Sequence, residues 1–348
     1  MIKLGIIGFA RSGRSTVFRA LTASSQDGEY LRGRDSDQIG VVFVPDERVD
    51  LLTGMYHPKK RTYAQVEYLL PAQQMSTEPL AKEPGTWKLV RHCDALIHVV
   101  RNFSEPGGEP PNSEADFRKL EQELILADFM VAEKRIERIE SEKKRGRKIN
   151  EEEFPLIKAS LSVLEEERPL RDVPELAASP LLRGYTFLSA KPVLLLFNNT
   201  DEDNSAPNWV KKKEELNPTV VRGELEMELA RMSADDAEEF LTEFDISTSA
   251  LDRVIRRSYE LLGLISFFTV GEDEVKAWTI KKDTVALDAA DVIHSDIKRG
   301  FIRAEVVAYQ DLMNAGGYRE AKKQGRVRLE GKGYTVADGD IIHFRFNV

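Results

Sequence analysis

The feature that most constrains the fold of this 348-residue chain is a glycine-bounded loop near its N-terminus. Residues 8–15 read GFARSGRS and fit the pattern G-x-x-x-x-G-[K/R]-[S/T], with Arg14 where such loops carry lysine. An apolar, β-branched run at residues 2–8 leads into the loop, and a helix-forming segment follows from Ser15. This order predicts a buried strand, a phosphate-binding loop and a helix.

The chemistry of such a loop defines the candidate ligand-binding residues. Two glycines let backbone N–H groups curl around a phosphate, the helix N-terminus adds the positive end of its dipole, and a hydroxyl ligates Mg²⁺. Arginine is longer than lysine, planar and forked, but it can still reach β- or γ-phosphate oxygens. The alternative is a tight strand-to-helix turn without a ligand. The candidate nucleotide-binding residues of the loop are Gly8, Arg11, Ser12, Gly13, Arg14, Ser15 and Thr16, and Ser15 is also the candidate metal ligand.

Short apolar runs farther along the chain extend this prediction to a fold class. Residues 95–100 and 192–197 are apolar and are each followed by polar or turn residues, as is typical of buried strands in a parallel sheet. Strands that alternate with helices indicate an α/β domain with helices on both faces of the sheet.

Two segments interrupt the α/β pattern. Between about 115 and 170 apolar residues recur at helical spacing, as at Leu120, Leu124 and Ala127, which predicts an inserted antiparallel helical hairpin. Its tip, residues 143–148 (KKRGRK), is interpreted either as a solvated turn or as a nucleic-acid or ribosomal contact. Alternating residues at 275–280, 303–307 and 341–346 predict a small, mostly β module at the C-terminus.

Composition limits the classes of protein that fit. The chain has 50 Lys+Arg and 59 Asp+Glu, a net charge of −9, which argues against a protein that coats nucleic acid with its whole surface but allows a local basic patch. The single cysteine excludes an intrachain disulfide and a Cys-rich zinc site. We find neither a membrane-spanning apolar run nor a signal peptide, and we expect a cytoplasmic protein without a membrane partner.

Several further motifs resemble those of the Obg-like ATPase (YchF-type) family. They are residues 301–306 (FIRAEV), 329–334 (LEGKGY), 338–340 (DGD) and 343–348 (HFRFNV), with 40–46, 94–101 and 191–193 upstream. The resemblance implies a P-loop GTPase-like parallel sheet at 1–116 and 188–266, an inserted helical coiled-coil hairpin at 117–187, and a C-terminal β-grasp-like (TGS) α+β domain at 267–348. It also implies GTP or ATP as ligand, Mg²⁺ with a bound nucleoside triphosphate, and association with ribosomes or RNA.

The chain departs from that family where Mg²⁺ and the γ-phosphate are organised. Aligned on the motif D-x-x-G, Leu70 replaces the aspartate and Gln73 the glycine. Arg34 stands at the position of the threonine that completes the Mg²⁺ shell, although residues 35–37 (DSD) offer substitute oxygens. Because phosphoryl transfer depends on positioning and charge neutralisation, these departures leave open whether the chain is an enzyme, and we assign no catalytic residue.

Base recognition is better preserved. Asn198 and Asp201 fit N-x-x-[D/E], and an aspartate can accept two hydrogen bonds from guanine, whereas the family typically has glutamate and favours ATP. The alternative is an ordinary polar exit from a strand. Asn199 replaces the lysine that covers the base in GTPases, and Arg222 with Gly223 replaces a serine–alanine turn. The preference for guanine or adenine stays open.

Two functional hypotheses follow. The first is a P-loop protein that binds a purine nucleotide and hydrolyses it very slowly. The second is a catalytically inactive pseudo-GTPase that binds RNA, the ribosome or another protein through basic residues, with Tyr318 and Tyr334 available for base stacking. The basic residues of the C-terminal domain are Lys298, Arg299, Arg303, Lys322, Lys323, Arg326 and Arg328.

Overall fold

The computed structural model describes residues 2–23, 36–72, 87–104, 109–210, 216–243 and 249–347. The chain divides into two compact units. The first unit comprises Met1–Val42 and Glu67–Val254, and the second comprises Phe43–Val66 and Ile255–Val348. Among the helices in the described ranges, none combines the length and the apolar character that a membrane crossing requires.

The first unit is built on a six-stranded sheet with the order β2-β4-β1-β5-β6-β7, whose strands are β1 (Ile2–Ile7), β2 (Gln38–Phe43), β4 (Gln65–Leu70), β5 (Ala95–Arg101), β6 (Val193–Asn198) and β7 (Thr219–Val221). The strands β1, β5, β6 and β7 pair in parallel. The parallel α/β class predicted from the apolar runs is confirmed.

The helices of the first unit are α1 (Arg14–Ala23), α3 (Ser113–Lys144), α4 (Glu153–Glu165), α5 (Pro174–Ala177), α6 (Gly223–Leu229), α7 (Ala234–Glu243) and α8 (Ala250–Leu261). Helices α1 and α3 bury apolar faces at helical spacing. In α1, Val17, Phe18 and Leu21 are buried, and in α3 the buried positions include Leu120 and Leu124. The last helix, α8, continues into the second unit.

The two long helices α3 and α4 share one apolar core. Helix α3 contributes Ile125, Ala132 and Ile139 to it, and α4 contributes Ile157 and Leu164, all of them buried. Because these positions recur at helical spacing, each helix turns one apolar stripe toward the other. The segment predicted to be a helical hairpin thus consists of two packed helices joined by a polar turn.

A buried carboxylate fixes α3 to the segment that leads into β6. Asp128 has no exposed surface. Its carboxylate accepts hydrogen bonds from the backbone N–H groups of Leu188 (3.0 Å) and Ser189 (2.6 Å) and pairs with the guanidinium of Arg91 (2.9 Å). Since a buried charge is tolerated only when it is paired and hydrogen-bonded, this arrangement specifies where α3 lies.

The second unit contains another six-stranded sheet, with the order β11-β10-β12-β8-β9-β3, whose strands are β3 (Lys60–Thr62), β8 (Leu264–Val270), β9 (Glu274–Lys281), β10 (Phe301–Ala308), β11 (Arg328–Glu330) and β12 (Asp340–Phe346). Its helices are α2 (Glu47–Tyr56), α9 (Ala286–Ile293), α10 (Ser295–Arg299), α11 (Tyr309–Ala315) and α12 (Tyr318–Lys323). The core of this unit includes Phe267, Phe301 and Phe344, whose rings pack edge to face.

Residues 43–66 belong to this second unit, whereas the sequence prediction places them in the N-terminal domain. The reason is strand pairing: β3 lies at the edge of the sheet and runs parallel to β9. The Thr62 hydroxyl donates to the Glu274 carboxylate at 2.6 Å, and Lys59 pairs with Asp273 at 2.8 Å. The C-terminal sheet is therefore completed by a segment from the N-terminal part of the chain.

Candidate functional site

The predicted strand, loop and helix are present at the N-terminus. β1 ends at Ile7 and α1 begins at Arg14. Gly8 and Gly13 have positive φ angles of 152° and 89°, which favour glycine, and Arg11 also has a positive φ of 63°. A Cβ atom on Gly8 would overlap the carbonyl oxygen of Val99, so a side chain at this position is excluded by the neighbouring strand.

The structure brings the loop together with Asn198 at the end of β6. The Asn198 amide nitrogen donates to the Ser12 carbonyl at 3.2 Å, and its side-chain oxygen accepts from the backbone N–H of Gly223 at 3.0 Å. A Cβ on Gly13 would overlap the Asn198 amide nitrogen, so glycine is required for this approach. Asn198 thus joins the loop, β6 and the start of α6.

Gly223 is a residue of the site that the sequence interpretation treats only as a departure from the family pattern. A Cβ there would lie 2.7 Å from the Asn198 side-chain oxygen, so the close contact with Asn198 needs glycine. The signal available in the sequence is a glycine at the start of a helix-forming segment, separated by one arginine from a short apolar run. That signal is common in ordinary turns. Gly223 is recognised as a residue of the site only because the structure places it against Asn198.

The Ser12 hydroxyl and the stem of the Arg14 side chain lie against Gly8 of the loop. A Cβ on Gly8 would lie 2.8 Å from Ser12 Oγ and 3.3 Å from Arg14 Cγ, so the three residues adjoin one another. Ser12 is 3% exposed, and its Oγ has no hydrogen-bond partner among the described residues. A buried hydroxyl in this position is available to a ligand that enters the loop.

Arg14 is partly buried at the first position of α1, and burial lowers the pKa of its guanidinium. No carboxylate in the described ranges pairs with it. Desolvated positive charge beside a helix N-terminus is the arrangement expected for an anion-binding site.

The other predicted loop residues lie around this centre. Arg11 and Ser15 are exposed, and Thr16 is partly buried. Ser15 and Thr16 follow Arg14 in the first turn of α1, where the N–H groups have no partner within the helix. All of the loop candidates predicted from the sequence therefore lie in one strand-to-helix turn.

Asp201 is held by the start of α6. One oxygen of its carboxylate accepts from the backbone N–H of Leu225 at 3.2 Å, and its carbonyl oxygen accepts from the Arg222 guanidinium at 3.2 Å. Asp201 remains exposed, so the carboxylate is oriented by the helix and still reaches solvent. A fixed, exposed carboxylate is suited to accept hydrogen bonds from a planar donor pair.

Asn199 has a different role from Asn198. It is 4% exposed, its side-chain oxygen accepts from Asn102 at 2.9 Å, and its amide donates to the carbonyl oxygens of Asp203 (3.0 Å) and Ser205 (2.9 Å). These contacts shape the loop after β6 and join it to the residue that follows β5. Asn199 therefore does not take over the position above a base that lysine fills in GTPases.

The described residues do not complete a protein-built Mg²⁺ site. Leu70, at the aligned aspartate position, ends a strand next to β1 and is only 6% exposed. The Asp37 carboxylate accepts from the backbone N–H of Ala72 at 2.9 Å. In the ranges that the structure describes, no three His, Cys, Asp or Glu side chains are grouped to hold a metal ion. The candidate positions outside the described residues are Arg34, Asp35 and Gln73.

Comparison with known proteins places this geometry in a family. The Ribosome-binding ATPase YchF of Bacillus subtilis (strain 168) is 38% identical, and the match covers 99% of each chain. The chain belongs to the YchF family. A second YchF, from Pasteurella multocida (strain Pm70), is 37% identical with the same coverage. The YchF-GTPase_C family model, described as a protein of unknown function (DUF933), matches residues 264–347.

A solved structure supports the fold of the whole chain. The Schizosaccharomyces pombe YchF GTPase has a TM-score of 0.85 and 29% identity, and the match covers 99% of this chain and 97% of that one. Membership of the YchF family confirms the predicted resemblance, and this match confirms the predicted GTPase-like α/β fold with a further C-terminal domain. The chain differs from the family pattern predicted above at Arg14 and Leu70.

Proposed function

We propose that this member of the YchF family binds a purine nucleotide, GTP or ATP, at the loop of residues 8–15 and associates with ribosomes. One observation carries the proposal: the stem of the Arg14 side chain, whose guanidinium is desolvated, and the unpartnered Ser12 hydroxyl lie next to Gly8 at the N-terminus of α1, within the described residues. An anion placed there compensates the charge of Arg14 and uses the free N–H groups of the helix. The names of the relatives, ribosome-binding ATPase and YchF GTPase, agree with a nucleotide as that anion.

Each residue of the proposed site has a distinct task. Gly8 and Gly13 allow the backbone N–H groups to approach the phosphates, and Arg14 contacts the β- or γ-phosphate. With a nucleoside triphosphate bound, Ser15 is the residue that would contact Mg²⁺, and that ion would supply charge neutralisation of the phosphates. Arg11, Ser12 and Thr16 line the phosphate-binding loop. Asn198 and Asp201 hold and read the base.

We propose that hydrolysis is very slow. P-loop NTPases hold Mg²⁺ with the loop hydroxyl and an aspartate from a neighbouring strand, and Leu70 supplies no such oxygen. The buried Leu70 also favours the second hypothesis, a catalytically inactive pseudo-GTPase that acts as a binding module. Under either hypothesis we propose a cytoplasmic location and the domain limits predicted from the sequence, apart from residues 43–66 and 255–266, which belong to the second unit.

Unfolding measured with added nucleotide tests the proposal. A ligand with a dissociation constant of about 10 μM, present at about 1 mM, stabilises the folded protein by about 2.7 kcal/mol. We expect such a shift with at least one of GTP, GDP, ATP and ADP, measured with Mg²⁺ and with EDTA. The base that gives the larger shift identifies the preference. If none of the four shifts the unfolding transition in either buffer, nucleotide binding is refuted.

A further inference from the structure

The helical hairpin carries a group of cations whose surroundings differ from those of the basic surface predicted on the C-terminal domain. Helix α3 ends at Lys144, α4 begins at Glu153, and the residues between them form the turn. We name residues 143–148 the tip. Its cations are all exposed, and none forms an ion pair within the described parts of the chain; they are Lys143, Lys144, Arg145, Arg147 and Lys148.

The basic residues predicted to form a surface on the C-terminal domain are, in contrast, mostly paired with carboxylates. Six of the seven residues predicted to form a basic surface there have a carboxylate partner. Lys322 pairs with Glu305 at 3.3 Å and Lys323 with Glu320 at 3.6 Å. The remaining pairs are Lys298 with Asp288 and Asp291, Arg299 with Asp296, Arg326 with Asp311, and Arg328 with Glu330. A paired cation attracts a polyanion less strongly than an unpaired one, because its carboxylate partner repels the phosphates.

The structure of the turn explains why the tip cations are available. Gly146 has φ 68°, its N–H donates to the Lys143 carbonyl, and the N–H of Arg147 donates to the Glu142 carbonyl, both at 3.0 Å. This is the pattern of a Schellman motif, in which backbone N–H groups satisfy the last helix carbonyls. The side chains of the last helical turn are therefore not needed as caps.

The attraction between cations and a helix C-terminus is the competing explanation for a basic tip. It applies to Lys143 and Lys144, which lie in the last turn of α3. It does not apply to Arg147 and Lys148, which follow the helix and its cap. The tip thus carries more positive charge than is needed to stabilise the C-terminus of α3.

The turn is also fixed from its other side. The Asn150 side-chain oxygen accepts from the backbone N–H groups of Glu152 (3.0 Å) and Glu153 (3.3 Å). The Arg135 guanidinium on α3 donates two hydrogen bonds to the Glu153 carboxylate on α4, at 2.8 and 2.9 Å. A cation array on a fixed backbone loses less entropy on binding than one on a free loop.

We propose that the tip binds the phosphate backbone of folded RNA. This inference rests on the proposed association with ribosomes and assigns a surface to it. Five cations within six residues match a phosphate backbone in charge, and the tip contains no aromatic side chain on which an unpaired base stacks. We assign the contact to the phosphates of a duplex, independently of base sequence.

The test compares two triple variants of the full-length protein that change the net charge equally. The first carries Lys144→Glu, Arg145→Glu and Arg147→Glu at the tip. The control replaces exposed cations of the second unit, with Lys281→Glu, Lys282→Glu and Lys332→Glu. Binding to a mixed-sequence RNA duplex and to purified ribosomes is measured over a range of salt concentrations, with circular dichroism to confirm that each variant is folded.

We expect the tip variant to lose at least about tenfold in affinity for both RNA and ribosomes, and its plot of log K against log salt to become shallower by about 2 to 3 units. The control retains wild-type values. Equal losses in the two variants overturn the proposal, as does tip-dependent binding to phosphatidylserine vesicles without binding to RNA.

Failure of this inference and failure of the proposed function give different results. Wild-type ribosome binding that survives in the tip variant overturns the role of the tip and leaves ribosome association intact. A wild-type protein that binds neither ribosomes nor RNA refutes the association together with the role of the tip. Nucleotide binding is scored separately by unfolding, and we expect it to be unchanged in both variants.

Discussion

Replacing Arg14 by methionine is expected to abolish the stabilisation by nucleotide while leaving the ligand-free protein at least as stable as the wild type. The guanidinium is desolvated without a carboxylate partner in the described residues, so it costs folding free energy until an anion binds. Methionine keeps an unbranched side chain without charge, and we expect the free energy of unfolding of the free protein to stay equal to or rise above that of the wild type. The expected shift of about 2.7 kcal/mol with saturating nucleotide disappears. Urea unfolding with and without nucleotide measures both quantities.

Arg19→Met is the matched control for this experiment, because Arg19 lies on the same helix and is exposed. The control should preserve the nucleotide-induced shift and change the free energy of unfolding by less than about 0.5 kcal/mol. Arg14→Lys should keep the shift, because lysine is the usual residue of such loops. An Arg14→Met protein that unfolds more easily and still responds to nucleotide would show that Arg14 stabilises the fold and does not bind the ligand.

Asp128→Asn is expected to lower the free energy of unfolding by about 3 to 5 kcal/mol. The substitution leaves Arg91 with an uncompensated charge and presents an NH₂ group or a weaker acceptor to the N–H groups of Leu188 and Ser189. In a unit of this size each kcal/mol corresponds to about 2 to 4 °C, so the unfolding transition should move down by about 6 to 20 °C. Differential scanning calorimetry at neutral pH measures the change.

The control on the same helix is Glu114→Gln, which removes the ion pair with Arg118. Both side chains of that pair are largely exposed, at 41% and 58%, so its loss should cost less than about 1 kcal/mol. A cost for Asp128→Asn no greater than that of Glu114→Gln would show that the buried carboxylate does not fix α3, and that apolar packing is sufficient.

Local patterns predicted the parts of the molecule that form from neighbouring residues. The two glycines of the loop, the β-branched run before it and the periodic leucines of α3 each have a direct physical meaning within a short stretch of chain. The same holds for Asn198, which is recognised by its spacing from Asp201. The structure adds what the side chain of Asn198 contacts, because its partner Ser12 is 186 positions away.

Other features depend on long-range pairing and could not be predicted. β3 has three residues and no periodicity of its own, so nothing in its sequence indicates that it pairs with β9. Charge counts identified both groups of cations but not their ion pairs, since these depend on which carboxylates are nearby in space. Lys322, for example, pairs with Glu305, 17 residues away on another element. The distinction between the tip and the basic residues of the second unit required the structure.

The pairing of β3 with β9 has a consequence for how the protein folds while it is being synthesised. Thr62 on β3 donates to Glu274 on β9, which lies 212 residues farther along the chain. At roughly 5 to 20 residues per second, translation of that stretch takes about 10 to 40 s. The strands β4, β5, β6 and β7 of the first sheet are synthesised in this interval, after β1 and β2. We therefore expect β3 to stay without its sheet partner until β9 has been translated, which happens only after the last residue of the first unit, Val254, has been added.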